Sequence, residues 1–227
     1  MKYGIMGAMP DEVDQLCARL SGVEVQQYAG VEYHQGRLGD KEVVVCCAGM
    51  GKANAAATTQ VLCGKFGAQA IIFSGIAGNM SEEIGIGDVV VGKEVCYHDA
   101  EVSMICQSAP FLKSYTGDPA LVQAALDACA ALGVKAIAGR IATGDTFVGD
   151  GATKAVIAEK VHPDCVEMEG AAVSQIAVRN GVPCVVLRAM SDNADESGHE
   201  LLVVKKFSIA EYVTTATAIV ARMLESL

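Results

Sequence analysis

Short, continuous runs of apolar and β-branched residues recur along the chain, and most of them end near Gly, Ser or Asp. Uninterrupted apolar runs of this kind are typical of strands that are buried on both faces of a parallel sheet. The predicted strands are Tyr3–Met6, Val43–Cys47, Ala70–Phe73, Asp88–Val91, Ala136–Ala142, Cys165–Glu167 and Cys184–Met190.

Several segments between these runs have the composition and the terminal residues of helices. Pro10 suits a first helical turn, and Gly67, Gly133 and Gly181 suit the left-handed residue that follows a helix. The predicted helices are Pro10–Leu20, Lys52–Phe66, Pro119–Leu132, Gly170–Asn180 and Ser208–Leu224. The alternation predicts an α/β fold in a single domain over residues 1–227, with a central, mixed, largely parallel twisted sheet flanked by helices.

The charge and composition of the chain exclude some classes of binding partner. The 227 residues include 17 basic and 27 acidic side chains, for a formal net charge of −10. Binding to a phosphate backbone needs clustered Lys and Arg, and the longest basic run is Lys205–Lys206, so we expect no nucleic-acid partner and no polybasic membrane anchor. No apolar stretch reaches the roughly 18 residues of a membrane-spanning helix, so we expect no membrane span.

The nine cysteines form no C-x-x-C pair, and several lie inside apolar runs. This pattern favours reduced thiols in a cytoplasmic protein, packed as small hydrophobic residues. The four histidines lie far from any paired cysteines, so we expect no metal site.

Three glycine-rich segments follow or end predicted strands: Gly4–Gly7, Gly49–Gly51 and Gly75–Gly78. The second matches a dinucleotide-binding fingerprint only in part, because Asn54 replaces its third glycine, and it lacks the spacing of a Walker A loop. Each segment taken alone is explained as well by a tight strand-to-helix turn. Together they suggest that backbone approaches a shared small ligand.

Carboxylates occur at the ends of apolar strands, where ligands bind in such folds: Glu12, Glu167, Glu169 and Asp192. A single one is explained better by a helix cap or by the helix dipole. If the strands are parallel, however, Glu12, Glu169 and Asp192 gather around one crevice. Crowded carboxylates with different pKa values supply the acid, the base and the negative charge that cleavage of a glycosidic bond requires.

The sequence resembles the 5′-methylthioadenosine/S-adenosylhomocysteine nucleosidases of the purine and uridine phosphorylase superfamily. The most specific matches are Val166-Glu-Met-Glu-Gly-Ala-Ala172 and Arg188-Ala-Met-Ser-Asp192, whereas the N-terminal segment and Tyr97-His-Asp point to the nucleosidase branch. Further matches run in order along nearly the whole chain: Met1–Val13, Ala48–Ala53, Ser74–Gly78, Gly87–Val91, Tyr97–Ala100 and Gly144–Phe147.

The resemblance implies a nucleoside phosphorylase-like fold, a nucleoside substrate and no cofactor. It implies that Asp192 protonates the adenine leaving group and that Glu12 takes a proton from the attacking water. The implied substrate-binding residues are Met9, Ala77, Gly78, Phe147, Val148, Met168, Glu169, Arg188 and Ser191. Among them, Glu169 would hold the ribose hydroxyls and Phe147 would stack on adenine. For Glu167, a structural role is as well supported as a role in binding.

Two positions depart from the family pattern. Ile76 stands where many members carry a Ser that helps to hold the attacking water. The aromatic residue that covers the 5′ substituent in many members is missing near Leu202, where the chain reads His199–Val204, with Phe207 further on. Val102 and Ile105 lie where family members lend apolar residues to the partner subunit's pocket, so the resemblance implies a homodimer.

The sequence motifs leave three other functions to compare. A phosphorylase of the same superfamily would need cations near Gly75–Gly78, and the sequence there offers Asn79, Glu82 and Glu83 instead. A nucleosidase for another adenosine derivative, such as aminofutalosine or 5′-deoxyadenosine, fits the same motifs. A binding protein without catalysis is disfavoured because Glu12, Glu169 and Asp192 are all present.

Overall fold

The computed structural model describes residues 1–199 and 210–227 of the chain, which contain both strands and helices. The strands in these residues are β1 (Lys2–Gly7), β2 (Ser21–Tyr28), β3 (Val31–Leu38), β4 (Lys41–Cys47), β5 (Ala70–Asn79), β6 (Val89–Tyr97), β7 (Tyr115–Thr116), β8 (Ala136–Thr143), β9 (Cys165–Glu167) and β10 (Cys184–Asp192). The helices are α1 (Pro10–Cys17), α2 (Lys52–Gly64), α3 (Val102–Ile105), α4 (Pro119–Ala131), α5 (Gly151–Val161), α6 (Gly170–Arg179), α7 (Glu196–His199) and α8 (Ala210–Ser226).

One mixed sheet joins all of these strands, in the order β10-β6-β8-β9-β5-β1-β4-β3-β2, with β7 beside β6. Its centre is parallel: β1 pairs in parallel with β4 and β5, and β5 with β10. The β2–β3 and β3–β4 pairs at one edge are antiparallel. Because β10 pairs with both β5 and β6, and β9 with both β5 and β8, these five strands close into a ring. The predicted α/β fold is confirmed.

The central strands bury both faces, as their continuous apolar runs predict. Along β1, for example, Met6 faces one core and Ile5 faces the other, because successive side chains of a strand point to opposite faces. The first core is completed by α2 and α6, and the second by α1, α4 and α8. The helices therefore cover both sides of the sheet and leave the carboxyl ends of its parallel strands open for a site.

The glycine-rich segments differ in part from the prediction. Only Gly49–Gly51 forms a turn from strand to helix, and Gly49 and Gly51 adopt φ angles of 85° and 94°. Gly4–Gly7 lies within β1, and Gly75–Gly78 continues β5, which runs six residues beyond the predicted end at Phe73. The backbone of this extension faces the cavity described below. The glycines of the extension therefore let other groups approach the strand closely, and they do not form a turn.

The exposed edge of the sheet is not predicted from the apolar pattern. Strand β2 is exposed at every residue, and α5 buries only Ile157.

The predicted helix ends agree with the structure within a few residues. Leu202, Val204, Lys205, Lys206, Phe207 and the predicted helix start Ser208 lie outside the described residues. Within the described ranges, no helix combines the length and the apolar composition needed to cross a bilayer.

Candidate active site

A cavity of about 390 Å³ opens at the carboxyl ends of β1, β5 and β10, beside the N-terminus of α6. Its lining combines three glutamates, two aspartates and one arginine with apolar side chains. The lining residues are Ala8, Met9, Asp11, Glu12, Met50, Ile76, Ala77, Gly78, Phe147, Val166, Glu167, Met168, Glu169, Arg188, Ser191 and Asp192. The parallel centre of the sheet thus brings together carboxylates that lie far apart in the sequence.

Glu12 lies in the first turn of α1, and backbone donors hold both of its carboxylate oxygens. Oε2 accepts the N–H groups of Ala8 at 2.6 Å and Met9 at 2.9 Å. Oε1 accepts the N–H of Ile76 at 3.1 Å, from the extension of β5. Burial raises the pKa of Glu12, although the nearby Arg188 and these N–H donors oppose the rise. Glu12 is therefore a fixed carboxylate whose proton affinity is higher than that of an exposed glutamate.

Arg188 is fully buried among the carboxylates and stacks on Phe73, with its guanidinium carbon 4.2 Å from the ring centroid. Its Nη2 donates to Glu167, and it lies 3.4 Å from Glu169 Oε2. Glu167 also accepts the hydroxyl proton of Thr143 and the Gly170 N–H. Because several donors already occupy the oxygens of Glu167, this residue anchors the start of α6 and pairs with Arg188.

Gly75 shapes the site, although it is not among the predicted catalytic or substrate-binding residues. A β-carbon at this position would overlap with Arg188 Nη1 and Glu12 Oε1. Glycine is therefore required where the strand passes beneath the guanidinium and the carboxylate. The sequence did contain a signal, since Gly75 belongs to the Ser74–Gly78 motif, but only the packing shows what the glycine does.

Glu169 immediately precedes α6 and faces the turn before α2. Its Oε1 accepts the N–H of Gly51 at 2.8 Å. Burial, and then the charge of Glu167, raise the pKa of Glu169 to about 7, while Arg188 acts in the opposite direction. A carboxylate with this pKa gains or loses its negative charge near neutral pH, so the charge inside the cavity changes as well.

Asp192 ends β10, lies beside Gly78 and is 4% exposed. Its Oδ1 accepts the N–H of Ala194, and its Oδ2 lies 2.8 Å from the Ser191 hydroxyl oxygen. That hydroxyl also lies 3.3 Å from the carbonyl oxygen of Ala77. When the hydroxyl proton goes to Ala77, Ser191 can accept a proton from Oδ2, so the arrangement accommodates Asp192 with or without a proton.

A smaller chamber of about 30 Å³ continues the cavity beside Asp192. It is lined by Gly78, Thr146, Phe147, Val148, Val166, Glu167, Met168 and Asp192. The Phe147 side chain borders both spaces and is 39% exposed, so it sits at the opening. At Gly78, a β-carbon would lie 2.8 Å from the Ala194 β-carbon, which explains the need for glycine there.

Every predicted site residue except Val148 lines the main cavity, and Val148 lines the smaller chamber. Four other lining residues lie inside the matching motifs but are not among the predicted site residues: Ala8, Asp11, Met50 and Val166. Within residues 1–199 and 210–227, no group of three or more His, Cys, Asp or Glu side chains is arranged to hold a metal ion.

The family model of the phosphorylase superfamily matches residues 2–225. A 5′-methylthioadenosine/S-adenosylhomocysteine nucleosidase from Shewanella sediminis is 42% identical over 201 residues, which cover 86% of this chain and 87% of the relative. The chain belongs to the nucleosidases of the phosphorylase superfamily.

Solved nucleosidase structures have the same fold. The 5′-methylthioadenosine/S-adenosylhomocysteine nucleosidase of Neisseria meningitidis, in complex with methylthio-immucillin-A, superposes with a TM-score of 0.92 at 29% identity and covers 100% of this chain and 99% of its own. The futalosine hydrolase of Helicobacter pylori superposes with a TM-score of 0.90, also at 29% identity, covering 100% of this chain and 98% of its own.

Proposed function

We propose that the protein hydrolyses the N-glycosidic bond of 5′-methylthioadenosine and S-adenosylhomocysteine, releasing adenine and the 5-thioribose product. The observation that carries the proposal is that Asp192, Glu12 and Glu169 line one cavity, with Glu12 beside Gly75 and Asp192 beside Gly78, three residues further along β5. Similarity to nucleosidases named for these two substrates supports the choice of nucleoside.

In this proposal the base end of the cavity consists of Phe147, Val148, Ser191 and Asp192. Phe147 stacks on adenine, and the backbone of Val148 pairs with its polar edge. Asp192 gives a proton to N7, so that adenine leaves as a neutral molecule, and Ser191 orients the carboxyl group. A well-placed general acid of this kind contributes roughly a hundred-fold to ten-thousand-fold in rate.

The ribose end consists of Glu12, Glu169 and Arg188. Glu169 accepts hydrogen bonds from the ribose 2′- and 3′-hydroxyls, and Met168 lies against the sugar. Glu12 takes a proton from the water that attacks the anomeric carbon. A carboxylate about 4 Å from the developing ribosyl cation stabilises it by roughly 4 kcal/mol at an effective dielectric constant of about 20. Met9, Ala77 and Gly78 bring main chain close to the nucleoside.

Hydrolysis is favoured over phosphorolysis by the charge of the lining. Among the described residues that border the cavity, Arg188 is the one Lys or Arg, and it is already paired with Glu167. A phosphate ion would meet Glu12 and Glu169 without a free cation to offset their charge. Water is the acceptor that this cavity suits.

A second candidate is a nucleosidase for aminofutalosine or 5′-deoxyadenosine. The Helicobacter pylori futalosine hydrolase is as similar in sequence, at 29%, as the Neisseria meningitidis nucleosidase. These substrates share the adenine and ribose contacts above and differ at the 5′ position. Measuring cleavage of each nucleoside separates the candidates.

The proposal extends to the assembly and the compartment. We propose a homodimer in which Val102 and Ile105 reach toward the partner's 5′ pocket; both are only half-buried, and Met104 between them is 63% exposed. We propose a reducing, cytoplasmic location, which is supported by nine free cysteines. We also propose that residues 1–227 act as one nucleosidase domain.

The test is release of adenine from methylthioadenosine and from S-adenosylhomocysteine, each with and without inorganic phosphate. We expect equal rates of adenine release with and without phosphate, and the free 5-thioribose product should form together with adenine. Cleavage that requires phosphate would contradict the hydrolase assignment. Cleavage of neither nucleoside, with turnover of aminofutalosine or 5′-deoxyadenosine, would favour the second candidate.

A further inference from the structure

Three charged residues that the proposed mechanism does not use meet beside the cavity: Lys52, Asp99 and Asp145, here called the rim cluster. Lys52 Nζ lies 2.8 and 2.7 Å from the two carboxylate oxygens of Asp99 and 3.6 Å from Asp145 Oδ2. Lys52 is the first residue of α2, which follows β4, whereas Asp99 and Asp145 lie just after β6 and β8. The cluster therefore joins three connections that leave the carboxyl ends of these strands. None of them lines the cavity.

The rim cluster also fixes backbone. Asp145 Oδ1 accepts the N–H of Lys52 at 2.8 Å, and Asp99 Oδ2 accepts the N–H of Asp145 at 2.8 Å. Helix α2 begins after Gly51, which has no side chain to cap the free N–H groups of the first turn. Asp145 supplies that cap from a different loop, where its charge also suits the positive end of the helix.

These backbone contacts lie next to groups that face the cavity. Gly51, whose N–H holds Glu169 at 2.8 Å, directly precedes Lys52. Phe147, which borders the cavity and the chamber, follows Asp145 by two residues. Movement of the rim cluster would therefore displace the donor to Glu169 and the phenyl ring at the same time.

We propose that Lys52, Asp99 and Asp145 are positioning residues that hold the Gly51 N–H on Glu169 and the Phe147 loop over the cavity. The role of the cluster in turnover rests on the proposed function, because Glu169 and Phe147 are assigned there to ribose and adenine. The cluster touches no reacting atom, so it acts on the binding of the nucleoside more than on the chemical step.

A role in overall stability explains the cluster less well. The side chains of Lys52, Asp99 and Asp145 are 24%, 26% and 52% exposed, and ion pairs with that much exposure contribute little to folding. Partial burial raises the pKa of Asp99, but the hydrogen bonds from Lys52 and Asp145 outweigh it and lower the pKa overall. The pair of Arg140 with Glu94 has similar exposure, at 37% and 33%, and lies outside the cavity lining, so it serves as a matched control.

The kinetic test compares Asp99→Asn and Lys52→Met with Glu94→Gln, using methylthioadenosine. We expect both cluster variants to raise KM about ten-fold with kcat changed less than about three-fold, because binding is lost but the chemical step is kept. Lys52→Arg should restore most of the affinity, since it keeps the charge. An unchanged KM in Asp99→Asn, or an equal rise in Glu94→Gln, would overturn the proposal.

A second readout needs no turnover. The chain contains no Trp, so Phe147→Trp creates a single fluorescent reporter on the loop. Adding Asp99→Asn to this variant should lower the fluorescence anisotropy of the Trp, and adding Glu94→Gln should not. Equal anisotropy with and without Asp99→Asn would contradict the positioning role. If the unaltered protein cleaves none of the nucleosides tested, the proposed function fails while this measurement still decides whether the cluster holds the loop.

Discussion

In the proposed arrangement, Glu12 and Glu169 lie with Arg188 at the ribose end of the cavity, and Asp192 lies at the base end. Glu167 pairs with Arg188 and also borders the small chamber beside Asp192. The glutamates are held by backbone N–H groups and by Arg188. Asp192 is held by one backbone N–H and by a hydroxyl that can donate or accept. The two ends therefore differ in what surrounds their carboxylates, although both use the same kind of side chain.

The difference supports the separate tasks that we propose for the two ends. A carboxylate fixed by N–H donors keeps its position as charge develops nearby, which suits stabilisation of a cation without reorganisation. A carboxyl group beside a hydroxyl can gain or lose a proton without losing its partner, which suits a general acid. Changes at the base end should therefore affect departure of adenine, and changes at the ribose end should affect the sugar and the water.

The largest effect is expected at the base end, from Asp192→Asn. The amide cannot protonate N7, so kcat for methylthioadenosine should fall about a thousand-fold to ten-thousand-fold. This is the upper part of the range that general acids contribute. Thermal denaturation should show a folded protein. Asp127→Asn, on the exposed face of α4, is the control and should retain full activity. Substantial adenine release by Asp192→Asn would remove the assigned role.

Glu12→Gln tests the water at the other end. The amide keeps the shape of the side chain but cannot accept the proton of the attacking water, so kcat should fall about a hundred-fold to a thousand-fold. Asp14→Asn, on the same helix but exposed, should have no effect on kcat. The two variants are compared by steady-state release of adenine, and equal activities would contradict the role of Glu12 as base.

The pH dependence of kcat/KM should distinguish the ends further. Burial and the neighbouring Glu167 raise the pKa of Glu169 to about 7, so this carboxylate is ionised above that pH and protonated below it. We propose that the ionised form accepts hydrogen bonds from the ribose hydroxyls, so kcat/KM should decline as the pH falls through about 7. Glu169→Gln should lower kcat/KM and remove this step from the profile. A step that persists unchanged in the variant would belong to another group.

The smallest effect is expected from Ile76→Ser. The backbone N–H of Ile76 holds Glu12, but its side chain gives the cavity an apolar surface. A hydroxyl there would add one hydrogen bond to the attacking water, for which a net gain of about 1 kcal/mol corresponds to roughly five-fold in kcat. Ile76→Ala removes the same bulk without adding a donor. Equal kcat values for Ile76→Ser and Ile76→Ala would contradict this effect of the hydroxyl.

The sequence was most informative where apolar runs and motifs coincide. Continuous apolar strands predicted the parallel centre of the sheet, and its geometry then brings Glu12, Glu169 and Asp192 to one cavity. The exposed strand β2 escaped prediction because its residues pack against no core. The need for glycine at position 75 and the contact between Lys52, Asp99 and Asp145 also escaped it, because both depend on distances between segments that no local pattern encodes.

The division of tasks between the two ends is tested most directly with a leaving group that needs no proton. Asp192→Asn and Glu12→Gln would be assayed with methylthioadenosine and with the p-nitrophenyl riboside that carries the same 5′-methylthio group. A nitrophenolate departs as an anion, so Asp192→Asn should recover most of its activity on the nitrophenyl substrate, whereas Glu12→Gln should stay impaired on both. Equal impairment of Asp192→Asn on the two substrates would contradict its role as the acid at the base end.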